Sequence, residues 1–190
     1  MNRPGANRPG TVGTPLEGLE VRIAGPGGAA PGSRAEGEVW VRGASVMCGY
    51  HRDERATRAV LEPDGWLCTG DLGRLDADGY LSLTGRIKEL IIVAGENVHP
   101  AEVEAALSRH PAVGECAVVG APDEQRGEQV VAFVVVRPGS PEPSVEDLRA
   151  HCRKELAGYK VPRRFLLVKE LPKGPTGKAD RKVLMRMAEK

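Results

Sequence analysis

The chain has 190 residues, 41% of them hydrophobic and 28% charged, with a formal net charge of +1. That composition fits one ordinary globular domain or two small ones, and no run reaches the apolar length of a membrane span. The near-neutral total conceals an asymmetry: residues 151–190 carry 12 Lys and Arg against 4 Asp and Glu, and the rest carries 15 against 22.

Residues 1–10 are polar and rich in Pro and Gly, and read as a disordered tail. Residues 19–23 alternate as a strand, and 25–37 form a Gly/Pro/Ala-rich loop. Residues 38–43 predict a short strand ending at Gly43, 53–61 a short helix, and 65–71 a strand running into a turn. Residues 72–76 and 80–83 predict a hairpin closed through the two-residue turn Asp78-Gly79. The chain to residue 85 is therefore a small β-rich body.

Residues 85–88 are a polar joint whose one apolar member is Ile87. Residues 90–93 are continuously apolar and predict a buried strand. Residues 94–97 are a turn, with Gly95 able to take a positive φ and Asn97 tolerant of one. Pro100 opens a helix from its first turn, where Glu102 suits the helix dipole. Val103, Ala106 and Leu107 share one face of that helix, and Pro111 stops it. Strands follow at 113–120 and 129–136, then a loop at 138–143. Ser144 caps a helix reaching residue 156, with acids in its first turn and Arg153 and Lys154 in its last. A strand at 165–168, a loop at 171–178 and a basic helix from Asp180 complete the chain. The fold class is α+β: a small β-rich part joined by a hinge to a compact domain in which helices cover a small sheet.

Cys48, Cys68, Cys116 and Cys152 form no CxxC pair and have no His at metal-ligand spacing. They read as free thiols in a reducing cytoplasm, with no metal site in the chain. The basic end implies a polyanionic partner. Nucleic acid is disfavoured, because that segment offers only Tyr159 and Phe165 for stacking and no nucleic-acid motif. The phosphates of a nucleotide or of coenzyme A fit, as does a solvated basic face.

Four short constellations could carry chemistry. Asp71, at the end of Thr69-Gly70-Asp71, could accept two hydrogen bonds from a ribose diol, or serve local backbone amides. Arg86 could reach a ribose or phosphate oxygen, or pair with a nearby acid. Gly95-Glu96-Asn97 could let a narrow ligand chain pass bare backbone, or be an ordinary hairpin turn. Residues 172–178 place Lys178 at the end of a Gly/Pro-rich loop, where its ammonium could neutralise charge on a phosphoryl group. This is not a Walker loop, which needs Gly where Pro172 stands and Ser or Thr where Ala179 stands.

Order and spacing join these pieces. Gly37-Glu38-Val39-x-Val41-x-Gly43, Gly49-Tyr50 with Thr57, Gly65-Trp66-x-x-Thr69-Gly70-Asp71, Gly85-Arg86-x-Lys88 with Gly95-Glu96-Asn97-x-x-Pro100-x-Glu102-Val103-Glu104, and residues 172–178 occur in sequence. Together they resemble the acyl-adenylate-forming family of acyl-CoA synthetases, nonribosomal peptide synthetase adenylation domains and luciferases. The resemblance implies a ligase that joins a carboxylate to AMP using ATP with Mg²⁺, then passes the acyl group to a thiol. It assigns the ribose hydroxyls to Asp71 and Arg86, the catalytic cation to Lys178, a hinge to Lys88, and a pantetheine tunnel to Gly95, Glu96 and Asn97. The thiol is that of CoA or of a carrier-protein pantetheine, with CoA favoured. Residues 11–85 correspond to the C-terminal subdomain of the large AMP-binding domain, 86–89 to a hinge, and 90–190 to the mobile C-terminal domain. No phosphate loop or acyl pocket is present, so the implied partner is a large N-terminal AMP-binding domain, in cis or in trans, without which ligase activity is not expected. The alternative is a stand-alone, non-catalytic module that docks CoA or a carrier protein.

Overall fold

A computed structural model describes residues 1–2, 5–25 and 35–189. The chain divides into two compact units, Met1–Lys88 and Glu89–Lys190.

The first unit is built on a four-stranded antiparallel sheet in the order β1-β2-β3-β4, formed by Leu19–Ala24, Gly37–Gly43, Leu67–Leu75 and Leu81–Arg86. Its buried cluster is Ala24, Trp40 and Trp66, with Cys68 packed against it. The Arg22 guanidinium carbon lies 4.6 Å from the Trp40 ring centre and 4.3 Å from that of Trp66, so its charge is held on aromatic faces. A short helix α1 spans Glu54–Arg58 and is capped by Asp53, whose side chain accepts from the Ala56 amide.

Two expectations change in this unit. Residues 69–71 do not end the strand; β3 continues through them to Leu75. The hairpin is not closed by two residues. Asp76 N–H donates to Tyr80 O, and Gly79 takes φ 80°, giving a three-residue connection of Ala77, Asp78 and Gly79. The Asp76 carboxylate holds this turn by accepting from the Asp78 and Tyr80 amides. Arg8 ion-pairs with Asp76 and Asp78 and lies over the Tyr80 ring.

The second unit holds a five-stranded sheet. β5 (Ile91–Val93) and β6 (Glu96–Val98) form a hairpin at one side. β7 (Val113–Asp123) and β8 (Gly127–Val136) form the long antiparallel centre, and β9 (Arg164–Leu167) runs parallel to β8. α2 (Pro100–Ser108) and α3 (Val145–Glu155) bury Val103, Leu107, Leu148 and Cys152 against Val118, Val130, Ala132 and Val134. α4 (Arg181–Ala188) buries Leu184 and Ala188 against Ala117, Val119, Val131 and Phe133 on the opposite face. Alternate residues of β7 and β8 thus enter two different cores, which is why both strands read as continuous apolar runs. The helix ends follow the expected chemistry: the Ser144 side chain accepts from the Asp147 amide, and Asp180 accepts from the Lys182 and Val183 amides. Burial raises the Cys152 thiol to about 11, so it behaves as a core residue. Among the described residues, no helix is long and apolar enough to cross a membrane.

The run at 90–93 differs from expectation. Ile91 and Val93 are buried, but Ile92 between them is 49% exposed, so β5 covers the core with one face only.

Candidate functional site

Asp71 owes its position to a bulge. Trp40 pairs with Cys68 and Glu38 with Leu72, so β3 inserts Thr69, Gly70 and Asp71 opposite Val39 alone. The insertion is fixed on both sides. Thr69 Oγ1 donates to Val39 O and accepts from the Asp71 amide. The Glu38 carboxylate accepts from the Gly70 amide at 2.9 Å and from Trp40 Nε1 at 2.8 Å. Gly70 takes φ 74°, a conformation that suits glycine. Asp71 pairs in register with Arg86 of β4, and Arg86 Nε lies 2.8 Å from Asp71 Oδ1. The two residues that the family resemblance assigns to the ribose are therefore joined. Arg86 is a strand residue, and the polar joint begins after it with a 3₁₀ turn at Ile87–Glu89 that leaves Lys88 exposed.

Lys178 closes a tight hairpin where a loop is expected. Lys173 bridges Ala179, Gly174 N–H donates to Lys178 O, and Asp180 N–H donates to Pro172 O. Lys173 Nζ is tied to Glu115 at 3.0 Å. The Lys178 side chain is exposed and has no ion pair or hydrogen bond among the described residues. Its backbone is pinned while its ammonium is free. Three residues on, Arg181 anchors the base of this hairpin. Its Nε lies 3.0 Å from Glu89, its Nη2 lies 3.0 Å from Glu104, and its Nη1 donates to Val118 O.

Ala94 and Gly95 form the exposed turn of the β5–β6 hairpin, with φ 52° and 86°. Two successive positive φ values define the mirror-image turn that matches strand twist. Glu96 and Asn97 lie beyond it, in β6; Asn97 pairs with Ile92 as an extended residue and does not use its tolerance for the left-handed region.

A second feature escapes motif reading. A pocket of ≈ 320 Å³ in the second unit is lined by Val93, Arg126, Arg149, Arg153, Tyr159 and Arg163, among others. Arg163 is paired with Asp123 at 3.0 Å, and Arg149 donates to Arg163 O. Arg126 and Arg153 have no ion pair among the described residues. Such a pocket can receive several phosphate groups beside an aromatic ring. The excess of basic residues after position 151 is the one signal of it in the sequence.

The two folded bodies are those of an AMP-binding enzyme's C-terminal region. Residues 102–178 match the AMP-binding enzyme C-terminal domain, and the chain belongs to the acyl-adenylate-forming family. It is 46% identical over 97% of its length to the sulfoacetate–CoA ligase of Cupriavidus necator, covering 36% of that protein. It superposes with a TM-score of 0.90 on an anthranilate CoA ligase solved with anthranoyl-AMP, at 37% identity, covering 99% of this chain and 37% of that one. An amide bond synthetase from Marinactinospora thermotolerans matches at a TM-score of 0.87 and 44% identity, with 95% and 36% covered. The chain thus spans about a third of the length of the curated relatives it matches.

Proposed function

We propose that this chain is the C-terminal part of an ATP-dependent acyl-CoA ligase and works with a large adenylate-forming domain, on the same polypeptide or another. The observation that carries the reading is the free ammonium of Lys178 on a hairpin with a pinned backbone. In the first half-reaction a carboxylate oxygen attacks the α-phosphorus of ATP, which is bound with Mg²⁺, and pyrophosphate leaves. Lys178 places a cation between two anionic reactants and stabilises charge that grows in the transition state. Asp71 accepts from the ribose hydroxyls, and Arg86 holds that carboxylate and adds a donor. In the second half-reaction the thiol of CoA attacks the acyl carbon and AMP leaves. Pantetheine passes the bare backbone at Ala94 and Gly95, beside Glu96 and Asn97, and the CoA phosphates enter the arginine pocket, whose wall includes Val93, the residue before that turn. The lysine hairpin and the thiol path cannot serve the same atom at once. A swing of the second unit about Lys88 presents them in turn.

The test replaces the corresponding third of the Cupriavidus necator sulfoacetate–CoA ligase with this chain. The graft is expected to support sulfoacetate-dependent ATP–pyrophosphate exchange and CoA thioester formation, and this chain alone neither. Lys178→Ala in the graft is expected to lower exchange by ~10²-fold or more, while thioester formation from a preformed acyl-adenylate persists. A graft that folds and binds AMP but makes no adenylate with Lys178 intact would overturn the reading.

A further inference from the structure

The hairpin that carries Ala94 and Gly95 is held to its sheet in an unusual way. β5 and β8 share one paired position, Val93 with Gly127. One further backbone bond, from Ala94 N–H to Arg126 O, reinforces it at 2.8 Å. The Ile92 amide meets a side chain instead of a strand carbonyl: it donates to Glu128 Oε2 at 2.7 Å. A carboxylate accepting from an amide is a charge-assisted bond, about twice as strong as its neutral counterpart. Ile92 itself is half exposed, so packing around its side chain adds little to this bond.

The carboxylate reaches Ile92 because β7 leaves room for it. Glu128 pairs with Pro122 across the β7–β8 ladder, and its side chain runs over Gly120. A Cβ at Gly120 would stand 2.6 Å from Glu128 Oε1 and 3.2 Å from Ile91 Cγ2. Gly120 has ordinary strand geometry, so its lack of a side chain serves this close approach.

We infer that Glu128, seated over Gly120, is a positioning residue for the thioester half-reaction: it fixes the Ala94–Gly95 turn and the Val93 wall of the arginine pocket through the Ile92 amide. This rests on the reading of that turn as the thiol path. Adenylation uses Lys178, on a different hairpin, and does not depend on the bond.

Two measurements separate the inference from the reading it rests on. In the full chain, Glu128→Ala is expected to speed hydrogen exchange of the Ile92 amide by about tenfold or more. Glu128→Gln, which keeps an oxygen acceptor without the charge, should fall between. Gly120→Ala should displace the carboxylate and give the same acceleration with Glu128 present, and the double substitution should add nothing to either single one. In the graft, the same substitutions should slow CoA attack on a preformed acyl-adenylate or raise the KM for CoA by a similar factor, with ATP–pyrophosphate exchange unchanged. Unaltered exchange of Ile92, or strictly additive effects of the two substitutions, overturns the positioning role and leaves the thiol path standing. Accelerated exchange of Ile92 with a normal CoA half-reaction overturns the assignment of the turn itself.

Discussion

Arg181 has more demanded of it than any other side chain near the lysine hairpin. It stands between Glu89, the first residue of the second unit, and Glu104 of α2, and it also serves the Val118 carbonyl. The three side chains are 27%, 34% and 23% exposed, so none is fully solvated. Removing the guanidinium leaves two partly buried carboxylates near each other without a cation. Arg181→Ala should therefore cost about 2 kcal/mol in urea unfolding. Glu104→Gln should cost less, because the amide oxygen can still accept from the Val118 N–H that Glu104 holds at 2.8 Å. A loss below a few tenths of a kcal/mol for Arg181→Ala would place it among ordinary surface ion pairs. Legibility at this scale follows the range of the interactions. Lys178, Asp71 and Arg86 stand out through motif order, yet the bulge that aims Asp71 depends on Glu38, more than thirty residues away. A Thr-Gly-Asp triplet alone reads as a turn, since its local signals are those of one.

Among the elements, the β7–β8 hairpin joins the sheet to the arginine pocket. Its turn is organised by Asp123, which accepts from the Gln125 and Arg126 amides and pairs with Arg163 of the pocket wall. Partial burial pushes the Asp123 carboxyl up, but the two amides and the Arg163 guanidinium outweigh it and hold the group below its ordinary 3.8. A carboxyl lowered in the folded state adds stability that is fully present above its unfolded value and lost as pH falls through the folded one. Wild type should exceed Asp123→Asn in urea midpoint at neutral pH, and the gap should close as pH drops below about 4. A gap independent of pH would assign the effect to shape and not to charge. The pocket itself is invisible to motif reading because Arg126, Arg149, Arg153 and Arg163 lie on a turn, a helix and a crossover that only the tertiary fold brings together. The apolar pattern does reveal β7 and β8, since both their faces are buried. It misreads β5, where an exposed Ile92 interrupts two core residues and hydropathy cannot tell the difference.

At the scale of the whole chain, the division between Lys88 and Glu89 separates two bodies of unequal core. The second buries both faces of its central strands beneath three helices. The first gathers its described core around Ala24, Trp40 and Trp66, and a cation lies on the two indoles. Buried apolar area contributes roughly 25 cal/mol per Å², so the first unit has much less to set against its chain entropy. Probes for the two are separable without labels. Both tryptophans of the chain are in the first unit, whereas the helices α2, α3 and α4 are in the second. Tryptophan fluorescence should therefore change at lower urea than the far-ultraviolet helical signal. With slopes of about 1–3 kcal/mol per molar urea, a stability difference of about 2 kcal/mol displaces the midpoints by roughly 1 M. Coincident curves would mean one cooperative transition and a joint at Lys88 that transmits stability. Displaced curves would show that each unit stays folded by its own core, which the proposed swing about that joint needs.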